Sequence, residues 1–216
     1  MNKGKKCYVF GSAEAVYPKE AVVPDKGSLY IAADGGYSSM KAASIVPSVI
    51  LGDFDSCELT DEMKKLGAEI IVHPIEKDDT DLMLAIKLGF ERGYTDFVIV
   101  GCLGGARFDH SIATLQALGY VVNNGGSAVA YGKGEDGAVM CAQAIKDGSI
   151  TLPSRENGHV SVFSLSERSE GVSINGLKYS VAGAILTPFF PLGVSNSFVG
   201  REASISVDKG TLIVIY

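Results

Sequence analysis

A chain of 216 residues with 46% apolar and 20% charged residues has the make-up of a folded soluble protein, one large domain or two small ones, and excludes a disordered segment. Its net charge of −6 excludes a duplex nucleic-acid binder, which needs a basic face to release counterions; any phosphate it binds must be small. Cys7, Cys57, Cys102 and Cys141 form no C-x-x-C pair, and no apolar stretch approaches the roughly 18 residues a membrane helix needs, so the expectation is a cytoplasmic protein with reduced thiols and no membrane anchor.

Along the first half, apolar runs alternate with helical patterns, the mark of repeated βαβ units. Strands are expected at 7–10, 29–33, 49–51, 70–72 and 97–100. A helix over 81–92 carries Leu82, Ala85, Ile86 and Phe90 on one face, and another from 110 to about 122 carries Ile112, Leu115, Leu118 and Val122. Right-handed crossovers between such strands predict a three-layer α/β domain around a parallel sheet. After Asn123-Asn124-Gly125-Gly126 the texture changes to short β-rich runs, so the expected domains are 1–125 and 126–216. Strands are expected at 160–165, 171–174, 203–207 and 212–215, with a type I′ hairpin at Asn175-Gly176 and a turn at Asp208-Lys209-Gly210. The tail reads as an antiparallel sandwich or barrel, and 137–145 as either a strand or a short helix.

The acids follow the strands. Asp34 stands after the second run, Asp53 and Asp55 after the third, and Asp78, Asp79 and Asp81 after the fourth. If those runs are parallel strands, the carboxylates gather at the sheet edge where open α/β folds bind ligands. Such a gathering calls for a hard cation, and oxygen donors favour Mg²⁺. Taken alone, Gly52-Asp53-Phe54-Asp55 is a metal-binding turn or a plain Asx turn, and Ala33-Asp34-Gly35-Gly36 is a ligand turn or a tight strand-to-helix connection. Lys77-Asp78-Asp79-Thr80-Asp81 opens a helix, and capping explains one or two of its residues but not three acids and a lysine. Asp78 and Asp81 have the spacing to face one ion, and Lys77 the charge to meet a phosphate. After the fifth strand, Gly104 and Gly105 would expose backbone amides to anions, Arg107 can fork onto phosphate, Asp109 can cap the next helix, and His110 is a proton carrier, a phosphate donor or a backbone-bonded histidine. No P-loop or Rossmann glycine pattern occurs. In the tail, Tyr179 can stack on a flat heterocycle beside Ser195 or Asn196.

In this order, A-D-G-G, G-D-F-D-S, D-D-T-D-L, G-G-x-R-F-D-H, L-K-Y and G-V-S-N-S-F resemble the thiamine pyrophosphokinase family over nearly the whole chain. The resemblance implies an α/β domain for ATP and Mg²⁺, a β-sandwich for thiamine, and a homodimer with active sites between subunits. It puts Asp53, Asp55, Asp78 and Asp81 around Mg²⁺ and the triphosphate as catalytic residues, with Asp34 and Gly35 nearby. Lys77, Thr80, Gly104, Gly105, Arg107, Asp109 and His110 fall on the ATP side, and Tyr179, Ser195 and Asn196 on the thiamine side. The glycine motif, Gly-Gly-Ala-Arg-Phe-Asp-His, is one residue longer than the commoner form, and no tryptophan stands where some relatives use one. Two other readings compete with this: a haloacid-dehalogenase-type phosphohydrolase with Asp53 as nucleophile, and a non-catalytic nucleotide or thiamine sensor.

Overall fold

The computed structural model describes residues 4–54 and 59–216, in two compact units. The first holds Met1–Ala117 and Gly125–Met140, the second Leu118–Asn124 and Cys141–Tyr216. Asp55, expected at the site, lies outside the described residues.

Among the described residues up to Lys133 the elements follow as β1 (Cys7–Phe10), β2 (Leu29–Ala33), α1 (Gly36–Ala42), β3 (Val49–Gly52), α2 (Asp61–Lys65), β4 (Glu69–Val72), α3 (Asp81–Glu91), β5 (Asp96–Leu103), α4 (Phe108–Asn123) and β6 (Ser127–Lys133), all in the first unit except the end of α4 from Leu118. The strands are all parallel, ordered β6-β5-β1-β2-β3-β4. Every residue of β1, β2 and β3 is buried, which is why these segments read as unbroken apolar runs: a central parallel strand has no solvent face. On one face Phe10, Tyr30, Ala32, Ile50 and Val98 share a core with Tyr37 and Met40 of α1. On the other, α3 comes so close that a Cβ on its Gly89 would meet Phe97 and Cys7. Helices on both faces make the expected three layers.

Two details differ from expectation. A sixth parallel strand, β6, follows the Gly125-Gly126 turn where a domain boundary was expected. In α4 the buried side chains are Ser111, Thr114, Ala117, Leu118 and Val121, while Ile112 is exposed, so the buried stripe is turned from the one the apolar residues suggested. Thr114 occupies that face because its hydroxyl reaches the Cys102 carbonyl at 2.5 Å.

The second unit is a β-sandwich. Its elements are β7 (Val139–Lys146), β8 (Ser149–Leu152), β9 (His159–Ser164), β10 (Ser169–Asn175), β11 (Val181–Leu186), β12 (Gly193–Ser197), β13 (Ala203–Ser206) and β14 (Thr211–Ile215), with 137–145 resolved as mostly strand. One antiparallel sheet runs β12-β9-β14-β7 and the other β11-β10-β13-β8. Alternate residues point into one core, among them Val160, Val162, Leu212 and Val214 from the first sheet and Leu152, Val172, Ile174 and Ile205 from the second. The expected type I′ hairpin at Asn175-Gly176 does not form. Ile174 pairs with Val181 across a longer loop, and Leu177 drops from that loop into the core. Only Gly176 takes a positive φ, of 78°, and a Cβ there would lie 2.1 Å from the Glu202 carbonyl. Asp208-Lys209-Gly210, where a turn was expected, bends the chain from β13 in one sheet to β14 in the other, with Lys209 bridged to Glu170.

Candidate active site

Strand order reverses between β1 and β5, and the connections leaving their carboxyl ends diverge to opposite faces. That reversal opens a crevice, the usual ligand position in an open α/β sheet. Here it holds a cleft of about 720 Å³. Its walls are Gly11, Ser12, Ala13 and Glu14 after β1, Asp34 and Gly35 after β2, Asp53 after β3, Thr80 and Asp81 at the start of α3, and Gly101, Cys102 and Gly104 to Arg107 with His110 and Thr114.

Glycine is required where the two central strands end. Gly101 has a φ of 69°, and a Cβ on it would sit 2.7 Å from the Gly11 carbonyl and 2.8 Å from that of Ala13. The Gly11 amide donates to Val100 (2.8 Å) and the Ala13 amide to Gly101 (2.9 Å), so β1 and β5 stay paired up to the point of divergence. Ser111 then anchors the glycine-rich turn, its hydroxyl accepting from the Gly104 amide at 2.9 Å. Asp34 is held in a left-handed conformation, φ 51°, with its amide donating to Leu51 at 2.8 Å.

Thr80 caps α3: its hydroxyl oxygen accepts from the Met83 amide at 3.2 Å, worth about 1 kcal/mol. The helix therefore starts at Asp81, which falls beside Asp53. Lys77, in the loop before α3, places its ammonium between them, 2.6 Å from Asp53 Oδ2 and 3.1 Å from Asp81 Oδ1. Asp81 Oδ1 is buried and, despite this ion pair, accepts no hydrogen bond. Burial pushes the Asp81 carboxyl up, and the nearby ammonium only partly offsets it. Burial pulls Lys77 down, but its two carboxylate partners outweigh that and the net shift is upward.

Arg107 reaches the cleft wall with its guanidinium held by Asp109, Nη2 donating to Oδ2 at 2.6 Å, and this pairing takes the Asp109 carboxyl down to about 2. Cys102 also lines the cleft, where burial pushes its thiol up to about 12 and keeps it neutral.

Of the residues expected from sequence, Asp34, Gly35, Asp53, Thr80, Asp81, Gly104, Gly105, Arg107 and His110 come together on this one cleft. Lys77 joins them through Asp53, and Asp109 through Arg107. Asp78 does not: it is exposed and not among the cleft-lining residues. It precedes the Thr80 cap, so the helical spacing that would set it beside Asp81 does not apply, and its neighbour Asp79 pairs with Lys87 at 2.5 Å. Four acids around one ion were expected; among the described residues no three His, Cys, Asp or Glu side chains cluster to hold one. Sequence reasoning passed over Gly11 to Glu14, whose only signal is a glycine directly after the first strand, and Thr114.

In the sandwich, a pocket of about 100 Å³ is lined by Tyr179, Asn196, Ile174, Val181, Leu186 and Leu192 among others. Asn196 is buried at 5% exposure and braces the Tyr179 loop: Oδ1 accepts from the Tyr179 and Ser197 amides, both at 2.9 Å, and Nδ2 donates to the Tyr179 carbonyl at 2.7 Å. The Tyr179 ring is left exposed, with the Lys178 ammonium 5.4 Å from its centroid. Ser195 takes a left-handed φ of 61° at the register irregularity within β12, exposed and outside that pocket.

Two family profiles match the chain: "Thiamin pyrophosphokinase, catalytic domain" over residues 22–129 and "Thiamin pyrophosphokinase, vitamin B1 binding domain" over residues 149–212. A curated protein, the thiamine pyrophosphokinase of Bacillus subtilis strain 168, is 28% identical over 210 residues, covering 96% of this chain and 95% of its own. Among solved structures, thiamine pyrophosphokinase from Bacillus subtilis superposes with a TM-score of 0.76 at 24% identity, over 98% of both chains. A thiamin pyrophosphokinase family protein from Enterococcus faecalis does so with 0.76 at 22%, again over 98% of both. At these identities the structures speak for the fold, and both carry it from end to end.

Proposed function

The chain belongs to the thiamin pyrophosphokinase family, and on that premise we propose how its own residues divide the work. It transfers the diphosphate group of ATP to the hydroxyl of thiamine, giving thiamine diphosphate and AMP. The phosphohydrolase and sensor readings give way to this one.

ATP binds in the cleft of the α/β unit, which includes β6, and thiamine on the sandwich. The observation that carries this reading is the convergence of Asp34, Asp53, Asp81 and two glycine-rich turns on one cleft at the strand-order reversal. Backbone amides of the turns after β1 and β5 hold phosphate oxygens, Arg107 forks onto them, and Thr80 and His110 border the nucleotide. Asp53 and Asp81 suit Mg²⁺: their donors are carboxylate oxygens, one of them buried without a hydrogen bond. Mg²⁺ is ordinarily held by one or two carboxylates plus substrate phosphates, not by an all-protein cage. When bound it offsets the charge of the triphosphate.

The thiamine hydroxyl oxygen attacks the β-phosphorus of ATP. The bond from that phosphorus to the oxygen bridging the α-phosphate breaks, and AMP leaves with that oxygen. The hydroxyl proton passes to Asp81. Most of the acceleration comes from positioning and charge compensation, as in phosphoryl transfer generally. Tyr179 stacks on the thiamine ring and Ser195 bonds to it, while Asn196 holds the Tyr179 loop in place.

The chain works as a homodimer, in keeping with the exposed Tyr179, Phe189, Phe190 and Leu192, and in the cytoplasm, in keeping with its free Cys7, Cys102 and Cys141. Among the described residues no helix is long and apolar enough to cross a membrane. Phosphorus-31 NMR of the protein with ATP, Mg²⁺ and thiamine tests the reaction. Equal amounts of thiamine diphosphate and AMP are expected; ADP with thiamine monophosphate, or phosphate alone, would overturn it.

A further inference from the structure

Lys77 is held unlike the other paired cations of this chain. Its side chain is 14% exposed, whereas every other cation in a described ion pair keeps 31% or more of its side chain in solvent. It also meets two acids at once, from two different elements, and those are the acids assigned to the metal. Mg²⁺ bonds to oxygen at about 2.0–2.1 Å, so an ion shared by Asp53 and Asp81 would occupy the volume the ammonium fills at 2.6 and 3.1 Å.

We infer that Lys77 is the resident counter-ion of the Asp53 and Asp81 pair and gates the metal site, so that the divalent cation enters with its nucleotide and not alone. This rests on the assignment of those two aspartates to the metal. A free cation arriving at the pair must shed water, which Mg²⁺ does reluctantly, and must also displace a lysine that is ion-paired to both acids. A metal–nucleotide complex removes the second obstacle, because its phosphate oxygens receive the displaced ammonium. Nucleotide and metal then strengthen each other's binding by the same factor, as linkage requires. The lysine also keeps two half-buried carboxylates from facing each other while the cleft awaits substrate.

The test reads Mn²⁺ binding by electron paramagnetic resonance, without thiamine and without turnover. Wild type should bind Mn²⁺ weakly by itself and more tightly with α,β-methylene-ATP. Lys77→Met should bind Mn²⁺ alone at least tenfold more tightly and lose the nucleotide's enhancement by the same factor. Lys77→Arg, which restores the charge, should behave as wild type, and adding Asp81→Asn to Lys77→Met should abolish the gain. If Lys77→Met does not fold, Lys77→Gln carries the same expectation, since it keeps a donor and drops the charge. Unchanged or weaker Mn²⁺ binding in the neutral variants overturns the gate while leaving the metal assignment standing. No Mn²⁺ uptake by wild type even with the nucleotide analogue overturns both.

Discussion

The carboxyl edge of the parallel sheet and the Tyr179 end of the sandwich are built from opposite materials. At the sheet edge the cleft is made of backbone and charge: glycines that no side chain can replace, two half-buried aspartates, and the lysine between them. At the sandwich end an aromatic ring stands in solvent on a loop braced by one buried amide. A polyanion is recognised by N–H groups and charges whose positions are fixed by the fold, so that site tolerates little change. A flat, mostly apolar ring is recognised by surface, and there the fold needs only to present it.

That contrast predicts an order of sensitivity. Asp81→Asn should cost the most, on the order of 10³-fold in kcat with an unchanged circular dichroism spectrum, since a carboxylate facing the reacting phosphates is lost. Turnover near wild type would move the chemistry away from this edge. Gly101→Ala comes next, because the new Cβ meets two carbonyls at a positive φ. It should lower unfolding stability by about 2–4 kcal/mol in urea and raise KM for ATP. Asn196→Ala removes three hydrogen bonds from a buried amide and should cost about 1–3 kcal/mol. Its KM for thiamine should rise while that for ATP stays, and equal changes in both would erase the distinction between the regions.

The fold was legible where burial writes itself into composition. β1, β2, β3 and β5 are near-continuous apolar runs because both faces of a central strand are covered. β6 was passed over because its residues alternate between exposed and buried and it follows two glycines that also suit a linker. β11 and β12 escaped for a different reason: Val181-Ala182-Gly183-Ala184 has small residues, and Gly193 to Ser197 reads as a polar motif. The cleft residues with charged side chains were legible as motifs. Ser12 and Ala13 were not, since they form a wall without any chemical signature of their own. Nor did the Lys77 to Asp53 contact show in advance, as it spans 24 positions and exists only once β3 and α3 are brought together.

Smaller effects sharpen the contrast. Tyr179→Ala should raise KM for thiamine about tenfold, with no change in melting temperature, because the ring is exposed in the free protein. A drop in stability would show the ring to be structural. Thr80→Ala should cost only the helix cap, about 1 kcal/mol in urea unfolding.

The most direct measurement is a crystal structure with Mg²⁺ and α,β-methylene-ATP. Phosphates are expected between the turns after β1 and β5, the ion on Asp53 and Asp81, and the Lys77 ammonium withdrawn to a phosphate oxygen. A nucleotide bound anywhere else, with Lys77 still bridging the two aspartates, would contradict this.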